Sequence, residues 1–248
     1  MANDPIPAAT LVILRDRDGG APDLLMVERA KAMAFAGGAM VFPGGRVDPG
    51  DHALATAMQA GDDGPARIAA IRETIEEAGV AIGVSPAPSA DQLAAIRTRL
   101  HRGDAFGTIL ADGGFTLDPG QLVPFARWLP AHAHMRIFDT MFFLARAPQG
   151  VAASVDETEN VRLTWTTAAD LLAQADAGAA TIIYPTRRNL ERLALFARYD
   201  DAVAQADAHP VQTITPFAED RDGVAHLCIP AGLGYPVTAE PMDAAMRG

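Results

Sequence analysis

Glu73, Glu76 and Glu77 stand in the run Arg72-Glu-Thr-Ile-Glu-Glu-Ala-Gly-Val80. In an α-helix, side chains three and four positions apart lie on one face, so these carboxylates can reach one point in space. Like charges held that close repel unless a cation neutralises them. Arg72, four residues before Glu76, is one candidate cation, and a metal ion is another. Hard oxygen ligands suit Mg²⁺ or Mn²⁺, which keep several waters and bridge to substrate phosphates. A solvated acidic helix face is the other reading of the same spacing, and the context weighs against it. A strand-like run, Ala39-Met40-Val41-Phe42, and a Pro43-Gly44-Gly45 turn precede the helix, whose other face is apolar at Ile68, Ala69, Ile71 and Ile75.

The acidic helix is expected over about Ala66–Ala78, ended by Gly79, which takes φ > 0 without a Cβ penalty. Upstream, Ala8–Leu14 and Asp23–Glu28 read as a hairpin around Asp16-Arg17-Asp18-Gly19-Gly20. Downstream, Leu93, Ile96 and Leu100 give Asp91–Arg102 a helical spacing, followed by a loop through Gly113-Gly114. Phe125–Leu129, Phe138–Ala145 and Arg162–Trp165 read as strands, the second nearly continuous in apolar residues and so central. Ala168–Ala175 is expected to be a helix, and another is expected from Pro185-Thr186 to about Tyr199, with Thr186 as N-cap. Past residue 205, Val211–Phe217 and Val224–Ile229 suggest a second hairpin turned at Asp220-Arg221-Asp222-Gly223. It could extend the sheet, cover a groove, or pair two subunits into a homodimer through an edge strand. Ala53–Gly64 and Pro86–Ala90, rich in small or turn residues, are expected to be mobile. Strands mixed with a few helices, without regular alternation, give an α/β sandwich.

The same residues resemble the Nudix hydrolases, whose signature is Gly, five residues, Glu, seven residues, then Arg-Glu-U-x-Glu-Glu-x-Gly-U with U apolar. Here Gly45 is followed after five residues by Asp51, one methylene shorter than Glu, and twenty residues separate Asp51 from Arg72. In the helical half, Thr74 and Val80 take the U positions. Such an expanded box is similar to the peroxisomal coenzyme A diphosphatase branch and its bacterial relatives. So are Phe42-Pro-Gly-Gly-Arg-Val-Asp48, Arg136-Ile-Phe-Asp-Thr-Met-Phe-Phe143 and Pro185-Thr-Arg-Arg-Asn-Leu190. The resemblance runs from about residue 8 to about residue 200 of a single domain, with residues 201–248 as a C-terminal elaboration.

It implies a Nudix-type α/β/α sandwich with a mixed sheet and a helical insertion. It implies a hydrolase that uses Mg²⁺ or Mn²⁺ to cleave the diphosphate of a nucleoside diphosphate derivative. Coenzyme A or an acyl-coenzyme A leads, and ADP-ribose or NADH-type dinucleotides are the alternative. A catalytically silent domain that senses nucleotides is the reading from another class. Glu73, Glu76 and Glu77, with a Gly44 carbonyl, would hold the metal; Arg72 belongs to the same set, and Glu73 serves as ligand or base. Asp51 is a possible further ligand. The family draws another carboxylate from a loop near a later strand, for which Glu159 is the first choice and Glu157 the second. Arg46 and Arg136 can clamp phosphate, since a guanidinium grips two oxygens.

Composition sets the remaining bounds. With 49% hydrophobic and 21% charged residues, 248 residues read as an ordinary globular chain able to bury one good core. A net charge of -11 opposes nucleic-acid binding, and no helix-turn-helix segment with a basic surface is visible. The start lacks a positive, apolar signal and no segment is apolar enough to span a membrane, so a cytoplasmic location is expected. The single cysteine, Cys228, precludes an internal disulfide and reads as a small buried hydrophobe in a strand. Trp128 and Trp165 read as core, and His132 and His134 lack a third ligand nearby in sequence.

Overall fold

The computed structural model describes residues 4–33, 36–130, 137–150, 153–155 and 160–245. Strand β1 (Ile6–Arg15) is the axis of the fold. Leu11 and Ile13 face one core layer, Val12 and Leu14 the other, and all four are fully buried. A strand covered on both faces needs an unbroken apolar run, which Leu11–Leu14 supplies. Strands β2 (Asp23–Arg29), β3 (Met40–Val41) and β4 (Gly44–Arg46) follow. β2 and β4 share one side of β1, pairing antiparallel with its C-terminal and N-terminal parts respectively. β3 pairs with the end of β2.

Helix α1 (Pro49–Met58) starts two residues before Asp51 and runs into the segment between Asp51 and Arg72, ordering the first half of Ala53–Gly64, which was expected to be mobile. Pro49 is tolerated in the first turn, where its missing N–H has no helical acceptor to satisfy. The small Ala55 lets the helix pack closely on α2 (Gly64–Ala78), the acidic helix. Gly79 ends α2 in the left-handed conformation, φ 63°, as its position suggested. Ile68, Ile71 and Ile75 of α2 pack on Leu11, Ile13 and Phe143.

A two-stranded ribbon, β5 (Val84–Ser85) with β6 (Thr116–Leu117), brackets α3 (Ala90–His101) and α4 (Phe106–Gly113). α3 matches expectation; α4 replaces the loop expected before Gly114 and buries Phe106, Ile109 and Leu110 in the α2 layer. The sheet continues through β7 (Val123–Trp128), β8 (Phe138–Arg146) and β9 (Asn160–Thr167). β8 runs parallel to β1 along its whole length, which makes it central as its apolar run required. β7 pairs antiparallel with β8, and β9 antiparallel with β2.

The second layer is α5 (Ala168–Asp176), α6 (Tyr184–Leu193) and α7 (Tyr199–Ala208). Thr186 is not the cap of α6. The cap is Ile183, because Pro185 is accommodated inside the first turn, and Thr186 is buried one residue further on. Nor does α6 reach Tyr199. It stops at Leu193, Phe196 turns into the core, and the Asp16 carboxylate accepts from the Tyr199 N–H at 2.8 Å to open α7.

The C-terminal hairpin is shorter than expected and divided. β10 (Thr213–Ile214) extends the main sheet, parallel to β7. β11 (Phe217–Arg221) and β12 (Val224–Cys228) turn at Asp222-Gly223, both with positive φ, and pair with β13 (Ala239–Pro241), which leads into α8 (Met242–Ala245). Cys228 is buried in β12. Trp128 is core, donating to Tyr235 Oη, which donates to Asn189 at 2.7 Å; Trp165 is half-buried, its ring under the Arg15 guanidinium. The result is a mixed sheet between two helical layers, the α/β/α arrangement that the resemblance implies, with helical and C-terminal additions. Among the described residues no helix is long and apolar enough to cross a membrane.

Candidate active site

The glycine turn and α2 meet where β4 leaves β1. The Pro43 carbonyl accepts from the Leu11 N–H at 2.9 Å, fixing the turn to the sheet. The Gly44 N–H then donates to Glu77 Oε2 at 2.9 Å. Gly44 has no room for a side chain, since a Cβ would lie 2.3 Å from the Ala9 carbonyl oxygen. At Gly45 a Cβ would sit 2.4–2.6 Å from the Glu73 carboxylate. The two glycines thus let two helix carboxylates press against backbone.

That closeness has an electrostatic consequence. Burial and then the neighbouring Glu73 charge push the Glu77 carboxyl up to about 8, against the pull of the Gly44 N–H. Burial likewise pushes Glu73 up to about 7, although Arg72 pulls it down. Both groups are held where ionisation is costly unless a cation is close.

Arg72 is the hub of the cluster. Its Nε and Nη2 grip Asp51 at 3.0 and 2.9 Å, its Nη1 donates to Glu73 at 2.7 Å, and its Nη2 also reaches the Arg46 carbonyl at 2.9 Å. Asp48 and Glu76 lie 3.6 and 3.8 Å away as further ion pairs. Burial would lower its pKa, but the bonds to Asp51 and Glu73 outweigh it and raise the pKa, so the guanidinium stays charged.

Asp51 is 1% exposed and fully engaged, because its Oδ2 also accepts from the Asp48 N–H at 2.9 Å. Lying in the first turn of α1, it comes close enough to grip Arg72 despite its short side chain, and in this arrangement it positions Arg72. The Arg46 side chain is exposed at the rim of the turn. Arg136, Glu157, Glu159, His132 and His134 lie outside the described residues.

Three neighbours are not legible from motif spacing. Arg97, on α3, donates from Nε and Nη2 to the Glu76 carbonyl at 3.1 and 3.0 Å, placing a cation at the C-terminal end of α2. His101 lies 3.8 Å from Glu76, and the Asn160 amide lowers the Glu77 pKa. Only the helical spacing of α3 hinted that a charged residue there would face α2.

Among the described residues no three His, Cys, Asp or Glu side chains are already gathered as a metal cage. The donor set still suits a hard divalent cation: carboxylate oxygens, with Glu77 buried and Glu73 partly buried, so that a nearby cation would favour their ionised forms.

Gly45→Ala tests the role of close approach. Only the flexible end of Glu73 must give way, so the melting temperature is expected to stay within a few degrees. Displacing the carboxylate is expected to lower kcat by about tenfold or more. Thermal unfolding and steady-state kinetics on one preparation check both; a large melting loss with normal kcat would contradict this reading.

The family model for the NUDIX domain matches residues 5–186. Among solved structures, the chain is similar to a NUDIX hydrolase from Alicyclobacillus acidocaldarius at 30% identity and a TM-score of 0.71, covering 81% of this chain and 96% of that one. It is also similar to a MutT NUDIX hydrolase from Burkholderia pseudomallei (18% identity, TM-score 0.44, covering 76% and 98% of the two chains). The NUDIX domain of Shewanella oneidensis NrtR, solved in complex with ADP ribose, aligns at 13% identity and a TM-score of 0.41, covering 69% and 78%. No curated protein matches.

Proposed function

This chain belongs to the Nudix family and is a Nudix hydrolase, and from that premise we propose that it binds a divalent cation through Glu73, Glu76 and Glu77 and cleaves the diphosphate of coenzyme A or an acyl-coenzyme A. Nudix hydrolases act on nucleoside diphosphate derivatives and generally use divalent metal ions. The observation that carries the metal reading is the pair of carboxylates, buried Glu77 and partly buried Glu73, seated on the Gly44-Gly45 turn. The substrate reading is supported by the expanded box and by the Phe42–Asp48, Arg136–Phe143 and Pro185–Leu190 segments.

These three carboxylates and the Gly44 carbonyl would hold Mg²⁺ or Mn²⁺, whose chemistry there would be charge neutralisation of the diphosphate and a lowered pKa for water. The protein's own groups do the rest. Glu73, with a carboxyl near neutrality, either helps to hold the ion or takes the proton of the attacking water. Water oxygen adds to one phosphorus as the bridging P–O bond breaks, and the other phosphate leaves as a phosphate ester. Arg72 holds Glu73 in place rather than touching substrate, and exposed Arg46 is available to grip non-bridging oxygens.

The test is incubation with Mg²⁺ or Mn²⁺ and coenzyme A, an acyl-coenzyme A, ADP-ribose, NADH and nucleoside triphosphates, with products identified by mass. The expected products are an adenosine bisphosphate and a phosphopantetheine. Turnover confined to ADP-ribose or NADH would replace the substrate, and nucleotide binding without turnover of any of them would point to a sensor.

A further inference from the structure

Two of the three carboxylates assigned to the metal stand at the very end of α2: Glu76 and Glu77 belong to the last turn of a helix that stops at Ala78. The last carbonyls of a helix have no intrahelical donor, and its terminal turn is the part that opens most easily. Ligands placed there need the turn closed from outside the helix.

The fold supplies that closure. The Ile75 carbonyl accepts from the Gly79 N–H at 3.0 Å, the helix's own cap. The Glu76 carbonyl accepts from Arg97 Nε and Nη2 at 3.1 and 3.0 Å, and the Ala78 carbonyl from the Ser154 N–H at 2.9 Å. Arg97 Nη1 donates to Ser154 Oγ at 2.8 Å, so the two outside partners are tied to each other. Gly79 leaves them room, since a Cβ there would lie 3.1 Å from Ser154 Oγ and 3.3 Å from Arg97 Nη1. Neither partner is local. Arg97 sits on α3, which Ile96 and Leu100 seat in the core, and Ser154 lies in the connection from β8 to β9. A charged donor makes the stronger hydrogen bond, and its charge also favours the negative end of the helix dipole. Glu73, one turn earlier, is held separately by Arg72.

We propose that Arg97 is a positioning residue for metal binding: with Ser154 it closes the last turn of α2 and holds Glu76 and Glu77 beside Glu73. The helical insertion thereby gains a function, because its α3 braces the metal-binding helix. The proposal rests on the metal reading above and deepens it. Without the brace, an incoming cation must first order the turn, and its apparent affinity falls by the fraction of molecules in which the turn is closed. Once bound, the cation itself holds the turn, so affinity suffers while kcat at saturating metal does not.

The test uses the full chain with Mn²⁺ alone, the free ion being followed by electron paramagnetic resonance, and hydrogen exchange of the α2 amides in chelator. Arg97→Met keeps an apolar stem and removes the donors. It is expected to weaken Mn²⁺ binding by about tenfold and to speed exchange at Gly79 and Val80 by a similar factor. Exchange at Ile68 to Ile71 should stay as in the parent, and kcat at saturating Mn²⁺ within about threefold of it. Arg97→Lys keeps the charge but cannot reproduce the fork that bonds the Glu76 carbonyl twice and Ser154 as well, so it should stay close to the methionine variant. Equal Mn²⁺ binding by parent and Arg97→Met, exchange quickened throughout α2, a tenfold loss of kcat that saturating metal does not restore, or full recovery in Arg97→Lys each overturns the proposal and leaves the metal reading in place. A parent chain that binds no Mn²⁺ sinks the metal reading itself, and the proposal with it.

Discussion

Glu77→Gln is expected to lower kcat by about 10²- to 10³-fold and, in the absence of metal, to raise thermal stability at alkaline pH. Both effects come from one placement. The carboxylate is buried against the Gly44 N–H, where burial and the Glu73 charge push its pKa up to about 8. In the unfolded chain the same group titrates near the ordinary glutamate value of about 4.3. The native state therefore holds the proton more tightly. The stability this group contributes is fully present below about 4.3 and is lost as pH rises through about 8. Glu73, pushed up to about 7, acts in the same direction. Glutamine keeps the shape but cannot ionise, so its melting temperature should fall less steeply across that window. A cation that binds the ionised pair restores what ionisation removes, by mass action. The stabilisation given by Mg²⁺ or Mn²⁺ should accordingly grow with pH in the parent chain and shrink in the variant. Thermal unfolding from pH 5 to pH 9, with chelator and with metal, reads all of this; parallel pH slopes for the two proteins would refute the account.

The features legible in the sequence were those carried by local spacing. Glu73, Glu76 and Glu77 with Gly79 announced α2 and its end, because helical period and a glycine cap are both one-dimensional signals. The apolar run of β8 announced a central strand for the same reason. α1 was obscured because its stretch is rich in Ala, Asp and Gly and shows no apolar stripe. Its start was nevertheless written in Asp48-Pro49, and alanine is the best helix former. α4 carried a readable signal at Phe106, Ile109 and Leu110, masked by the glycines that follow it. What no spacing could supply was the set of partners brought by the fold. The bond of Asp51 to Arg72, Arg97 on the Glu76 carbonyl and Asn160 beside Glu77 each join residues far apart in the chain. The substitution of Asp for Glu at residue 51 is the clearest case. Its effect depends on where α1 carries the carboxylate, and α1 itself was not foreseen.

Arg72→Ala is expected to cost about 3–5 kcal/mol of stability, the penalty for orphaning a buried charge, and to abolish measurable turnover. Asp51 is 1% exposed, and the guanidinium supplies two of its hydrogen bonds. Arg72→Lys should fall close to the alanine variant. An ammonium cannot reproduce the planar fork that bonds Asp51 twice while also reaching Glu73 and the Arg46 carbonyl. The double variant Asp51→Ala with Arg72→Ala separates the two consequences. Removing Asp51 as well takes away the fully buried carboxylate that Arg72→Ala orphans, so a substantial part of the stability lost in Arg72→Ala should return. Turnover should not return, because Glu73 still lacks the 2.7 Å bond that aims it at the glycine turn. Urea unfolding of the parent, Asp51→Ala, Arg72→Ala and the double variant gives the coupling energy directly. Additive losses would mean that Asp51 and Arg72 act independently, and recovered turnover in the double variant would mean that Arg72 serves only the fold.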